Sequence, residues 1–195
     1  LYFCLLKKEP SRTILHLLIA IKLDSPGPVL FKQKRVGIHK SHFHILKFRT
    51  MRIDTPKDTP THLLDNPDQW ITKVGKFLRQ TSLDELPQII NIFKGEMSII
   101  GPRPALWNQY DLIEERDKYS ANDVPVGLTG WAQINGRDEL EIDVKARLDG
   151  EYAEKIGFLM DVRCFFGTIF SVLRSDGVVE GGTGTKKADK ESVKH

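Results

Sequence analysis

The chain has 195 residues, 40% of them hydrophobic and 28% charged. That length points to one domain with a core that needs no staples, and the composition excludes a disordered chain and a polytopic membrane bundle. A net charge of +3 is too small a bias to argue for nucleic acid.

The distribution of charge says more than the total. Residues 22–57 hold nine Lys or Arg against two acids, while residues 58–195 are net acidic. A basic front end therefore precedes an acidic body. Cys4 and Cys164 both sit in apolar runs, which argues against a disulfide framework and for a reducing compartment. The first residue is Leu rather than Met, so a longer start, carrying more of an anchor, is expected upstream.

Two uncharged apolar runs open the chain, LYFCLL at 1–6 and TILHLLIAI at 13–21, separated by a charged stretch with Pro10. Each is far shorter than the ~20 apolar residues of a spanning helix. Pro10 should break any helix joining them. They read either as buried helix pieces or as a broken helix entering one bilayer face. Asp24-Ser25-Pro26-Gly27-Pro28 is a dense turn signal. Val29-Leu30-Phe31 then begins a strand that turns at Val36-Gly37. Residues 42–51 alternate and read as its hairpin partner. Residues 54–69, with three prolines, read as a long surface loop, and Trp70 to Arg79 as a short amphipathic helix.

Ser82-Leu83-Asp84-Glu85 has the form of a capping box and predicts a helix over 82–94. Leu83, Leu86, Ile89, Ile90 and Phe93 form its apolar stripe, and Gly95 ends it. Residues 97–100 predict a short strand before Gly101-Pro102-Arg103-Pro104. Residues 105–119 predict a helix, 125–137 an ordered loop, and 139–156 another helix. Residues 158–174 suit an interfacial helix, with Phe residues flanked by Arg163 and Arg174, or a plain core helix. The basic segment beside an apolar N-terminus favours an anionic leaflet, or is simply a solvated surface. The Gly-rich, charged tail reads as a flexible extension. The fold class is α+β: a mostly helical single domain with a small β-hairpin and a membrane-associated, re-entrant N-terminal helix. Its boundaries are 1–23 for the apolar segment, 24–180 for the catalytic body and 181–195 for the tail.

Asp84 and Glu85 are the first chemical candidates. At a helix start, acids complement the helix dipole. The same positive end binds phosphate and keeps a carboxylate ionised, and an ionised carboxylate can attack phosphorus. Adjacent carboxylates suit Mg²⁺, which would screen the phosphates. Arg103, between two prolines, is rigidly aimed and suits bidentate phosphate binding. Lys47 and Arg49 share a strand face, and Arg79 lies about one turn before Asp84. The Gly127–Arg137 segment mixes glycines with Trp131, Gln133, Asn135 and Arg137. It suits base recognition or a structural Ω-type loop. His39, His42 and His44 do not read as a zinc site. No Walker A, dinucleotide fingerprint or serine elbow is present.

The five ordered motifs are Lys22–Val29, Lys47–Met51, Ser82–Gln88, Gly101–Pro104 and Gly130–Arg137. Together they resemble the bacterial sugar transferases, the monotopic polyprenyl-phosphate phosphoglycosyl transferases, over about residues 13–180. The resemblance implies an enzyme on the cytoplasmic face of the bacterial inner membrane. Such an enzyme moves a sugar 1-phosphate from a UDP-sugar donor to a polyprenyl (undecaprenyl) phosphate acceptor and releases UMP. This step opens assembly of a lipid-linked glycan for capsule, exopolysaccharide, O-antigen or glycoprotein. By the same matching, Asp84 is the nucleophile of a covalent phospho-sugar intermediate and Glu85 completes the dyad. Mg²⁺ sits against these carboxylates. Arg103, Arg79 and Lys47 line the phosphate path with Arg49 beside them, and Gln133 and Arg137 are nucleotide-binding candidates. Partners are the two substrates and membrane lipid, with no nucleic acid; oligomeric state and sugar identity stay open. Two other readings remain, a non-catalytic membrane scaffold and a lipid diphosphate phosphatase.

Overall fold

The computed structural model describes residues 10–56, 66–136 and 140–174. The LYFCLL run, most of the proline-rich loop, Arg137 and the tail therefore lie outside the described residues.

The first described helix, α1 (Pro10–Asp24), carries the second apolar run; whether Pro10 interrupts a helix joining it to the LYFCLL run falls outside the described residues. The C-terminal half of α1 is anchored: Ile21 is buried with Phe48 and Leu78, and Leu17 and Leu18 pack against that cluster. Ile14, Leu15 and Ile19 are exposed.

Strands β1 (Leu30–Val36) and β2 (His42–Phe48) form the expected antiparallel hairpin, with Leu30 opposite Phe48 and Val36 opposite His42. Helix α2 (Lys73–Gln80) begins three residues later than expected, because Thr72 is its N-cap and accepts from the Gly75 N–H. Asp24 adds a second bond to the same helix start, accepting from the Val74 N–H. Arg49 is buried and devotes its guanidinium to the Ser25–Pro28 turn. It donates to the Ser25 hydroxyl and to the carbonyls of Ser25, Pro26 and Pro28. The turn after α1 is thus tied to both the hairpin and α2.

Gly75 packs α2 directly on the hairpin's exit. A Cβ there would stand 2.0 Å from the Thr50 carbonyl oxygen, which already accepts from the Thr72 N–H. Alanine favours a helix over glycine by about 1 kcal/mol. Gly75→Ala is nevertheless expected to lower the melting temperature, because overpacking costs about 1–3 kcal/mol. A thermal melt unchanged or raised would contradict this contact.

Residues 82–94 depart from expectation. Ser82 is left-handed (φ 52°) and its side chain makes no capping bond, so no capping box forms. A 3-10 turn, Leu83–Glu85, carries the dyad, and α3 (Gln88–Phe93) follows after Pro87. The faces are inverted. Gln88 and Asn91 are 0% exposed, whereas Leu86, Ile89, Ile90 and Phe93 all face outward, Phe93 at 86%. Asn91 does for β2 what a third strand would do. Its Oδ1 accepts from the Leu46 N–H and its Nδ2 donates to the His44 carbonyl. The edge of the hairpin takes amide bonds from Asn91, and Ile92 packs against the cluster of Phe43, Ile45, Met97 and Val126, so Leu86, Ile89, Ile90 and Phe93 point away from the core.

Strand β3 (Ser98–Ile100) pairs in parallel with β4 (Gly127–Thr129). Residues 125–137 therefore hold a strand and the short helix α5 (Trp131–Ile134) instead of a loop. The crossover between the two strands contains α4 (Tyr110–Asp117). Helix α6 (Ile142–Glu154) packs on α4 and α5, and α7 (Phe158–Arg174) packs on α5, β3 and β4. The architecture is mixed α+β, seven α-helices with two small sheets among the described residues. No described helix is long and apolar enough to cross a membrane.

Candidate active site

Four segments meet at the dyad: the end of β2, α2, the Leu83–Glu85 turn and the Gly101–Pro104 loop. Lys47 sends Nζ to Glu85 Oε1 at 2.8 Å and lies 3.7 Å from Asp84 Oδ2. Arg103 donates from Nη2 to the same Glu85 oxygen at 2.5 Å. Arg79 donates from Nε to the Thr50 hydroxyl, and its charge is felt at Asp84. Three of the cations expected in a phosphate path, Lys47, Arg79 and Arg103, are thus gathered around Asp84 and Glu85. Arg49 is not; its donors hold the Ser25–Pro28 turn.

The two carboxylates are electrostatically unlike. Burial alone would push Glu85 up, but Arg103 and Lys47, by charge and by hydrogen bond, hold it well below the usual carboxylate range. Glu85 is a fixed anion. Asp84 is 8% exposed, and burial pushes its pKa up. The Glu85 charge adds to that rise, while Lys47, Arg79 and Arg103 pull against it. The helix-end field expected to keep Asp84 ionised is not what governs it. It sits in a three-residue turn, and its charge state is set by burial against three cations.

A sign follows. If Asp84 must be ionised to act, activity falls as pH drops through its raised pKa, above the ordinary ~3.9 of aspartate. Removing Lys47 removes a charge that pulls the pKa down, so Lys47→Met should move the acid limb of kcat/KM to higher pH. A limb at or below the ordinary carboxylate range, or one unmoved by Lys47→Met, would contradict this electrostatic picture.

Among the described residues, no three His, Cys, Asp or Glu side chains gather as a ready-made metal cage. Asp84 and Glu85, neighbours in one turn, are a carboxylate pair of the kind that fits Mg²⁺, which is held by one or two carboxylates together with substrate phosphates. Asp84 fits this use better than Glu85, whose Oε1 already faces two cations.

Gln133 is 9% exposed, and neither of its amide atoms has a hydrogen-bond partner. A Cβ on Gly130 would stand 2.1 Å from the Gly101 carbonyl and 3.0 Å from Gln133 Oε1. The amide therefore lies beside the loop that presents Arg103, and no side chain larger than hydrogen fits between them. Gln88 is likewise buried with both amide atoms unpartnered. Gln88 closes the Ser82–Gln88 motif without a role of its own in the sequence, because an amide after Leu-Pro looks like an ordinary first-turn residue.

The model of the bacterial sugar transferase family matches residues 9–175. The chain belongs to that family. Among curated relatives, it is 39% identical over 169 residues to an uncharacterized sugar transferase of Bacillus subtilis, EpsL, covering 86% of this chain and 81% of that one. It is 42% identical over 160 residues to the UDP-glucose:undecaprenyl-phosphate glucose-1-phosphate transferase of Escherichia coli, covering 78% of this chain and 34% of that protein. The undecaprenyl-phosphate glucose phosphotransferase of Komagataeibacter xylinus is 39% identical over 175 residues, 85% of this chain and 32% of its own length. The sugar transferase chain thus spans about a third of these two larger relatives. The matched region contains the whole cluster of Lys47, Arg79, Asp84, Glu85 and Arg103.

Proposed function

We propose that this sugar transferase moves a sugar 1-phosphate from a UDP-sugar to undecaprenyl phosphate, with Asp84 as nucleophile. The observation that carries the reading is a buried carboxylate, Asp84, beside Glu85, which Arg103 and Lys47 hold ionised, and three cations. Relatives named for transfer of glucose phosphate and N-acetylgalactosamine phosphate to undecaprenyl phosphate support the substrate class.

In the first step an Asp84 oxygen attacks the sugar-bearing phosphorus. The bond from that phosphorus to the bridging oxygen breaks, and UMP leaves with the electron pair. In the second step an oxygen of undecaprenyl phosphate attacks the same phosphorus and releases the Asp84 carboxylate. Arg103, Arg79 and Lys47 stabilise charge on the transferring group and the leaving phosphate. Asp84, and the neighbouring Glu85, would hold Mg²⁺, which would neutralise diphosphate charge when bound. Gln133, and Arg137 outside the described residues, are the candidates for holding the nucleotide.

The acceptor is a lipid, and the reading includes attachment to the cytoplasmic face of the bacterial membrane. Outward apolar side chains support it: Ile89 and Phe93 on α3, Phe158, Leu159 and Phe170 on α7, and Ile14, Leu15 and Ile19 on α1. An N-terminal helix that enters and leaves one face belongs to the same proposal. Ile89→Glu with Phe93→Glu should weaken sedimentation with anionic vesicles, since each side chain loses apolar burial of about 1.5–3 kcal/mol. Unchanged sedimentation would remove α3 from the contact.

The test of the activity is UMP release from a panel of UDP-sugars with undecaprenyl phosphate and Mg²⁺. Acceptor-dependent UMP and a lipid-linked sugar diphosphate are expected. Free sugar phosphate or inorganic phosphate formed without acceptor would favour a phosphatase, and no turnover with any donor would favour a scaffold.

A further inference from the structure

The loop that presents Arg103 is held along its whole backbone. Four consecutive carbonyls each accept one bond, from three different elements. Pro102 accepts from the Gly127 N–H of β4, and Ala105 from the Val36 N–H of β1. Pro104 accepts from Arg35 Nη1 at 3.0 Å, and Arg103 accepts from Arg116 Nη2 at 3.0 Å. Arg116 is itself buried, 2% exposed, and paired with Asp149, 1% exposed. Its Nε and Nη2 both donate to Asp149 Oδ2, at 2.9 and 2.5 Å.

A buried ion pair is costly to desolvate and is weak evidence for stability by itself. If its purpose were only to join α4 to α6, apolar side chains would serve as well. Here one nitrogen, Arg116 Nη2, serves both the Asp149 carboxylate and the Arg103 carbonyl. The chain of contacts then continues through the Arg103 side chain to Glu85. Neither Arg116 nor Asp149 faces the dyad through any contact of its own.

We propose that Arg116, aligned by Asp149, is a positioning residue for phosphoryl transfer: it fixes the Arg103 backbone so that the Arg103 guanidinium meets Glu85. The inference rests on the transfer reaction proposed above. Small misplacement of a charge-stabilising group is expensive, up to about 10²-fold for ~1 Å. A lysine at 116 keeps the charge but loses the rigid planar fork.

The test is a double-mutant cycle read in kcat for UMP release, using Arg116→Lys and Arg103→Ala. With Arg103 present, Arg116→Lys should lower kcat about 10-fold. In the Arg103→Ala background the same change should cost less than about twofold, since no guanidinium remains to be misplaced. Equal losses in both backgrounds would mean a structural role and would overturn the proposal. Asp149→Asn goes through the same cycle, with the same two outcomes, should Arg116→Lys fail to fold. A second readout needs no turnover: phenylglyoxal modification of Arg103, followed by peptide mass, should be faster in Arg116→Lys than in the parent. Unchanged labelling overturns the proposal too. A parent chain that releases no UMP would fail the activity reading, and labelling alone would then decide this one.

Discussion

Asp84→Asn should abolish turnover, lowering UMP release by roughly 10⁴-fold or more, the scale seen when a covalent nucleophile is removed. The substitution is nearly isosteric, and Asp84 has a charged neighbour at 3.7 Å rather than a tight ion pair. Burial opposes its charge, so the amide should fold at least as well as the acid. Loss of rate with an unchanged melting temperature therefore isolates the chemistry. Normal turnover by Asp84→Asn would remove the nucleophile from the scheme.

Arg103→Ala should cost about 10²–10³ in kcat, the usual loss for one preorganised group at developing charge. Its guanidinium serves Glu85 at 2.5 Å and projects from a loop fixed at four successive carbonyls. The change also acts on Glu85. The depressed pKa of Glu85 favours the folded state above the ordinary carboxylate range, and that contribution is lost as pH falls through the folded-state pKa. Without Arg103 that pKa rises toward the ordinary value, so acid unfolding should begin at higher pH than in the parent. An Arg103→Ala chain with parental kcat and parental acid unfolding would contradict both roles.

Much of this site was legible in the sequence because charge and backbone restriction are local properties. Arg103 between two prolines has a restricted backbone, and the Ser-Leu-Asp-Glu pattern marks a helical turn at Asp84 and Glu85. Lys47 and Arg79 needed the fold to meet them, but strand alternation and helix spacing put them within reach. Arg49 failed for a physical reason. It shares a strand's periodicity with Lys47, yet the strand ends at Phe48, and four carbonyl and hydroxyl oxygens of the Ser25–Pro28 turn capture its donors.

The capping box failed because Ser82 takes a left-handed conformation, which no pattern of residue types requires. The stripe of α3 was found and its direction was not. Helical spacing says which residues share a face, and only the neighbouring element says whether that face is inward. Here Asn91 completes the open edge of β2 and turns the apolar side out. The parallel β3–β4 pair escaped because three-residue strands joined across 26 intervening residues carry no local signature. Arg116 and Asp149 were invisible for the opposite reason. Each stands in a run of charged residues that reads as solvated surface, and only the packing of α4 on α6 buries them.

The proposed intermediate holds a covalent bond between Asp84 and the sugar phosphate. The direct measurement is the intact mass of the protein after incubation with a UDP-sugar and Mg²⁺ in the absence of undecaprenyl phosphate, followed by peptide mapping. An added sugar phosphate is expected on the peptide containing Asp84, lost when acceptor is supplied and absent in Asp84→Asn. Acceptor-dependent UMP release from a protein that never carries that mass, on that peptide, would contradict it.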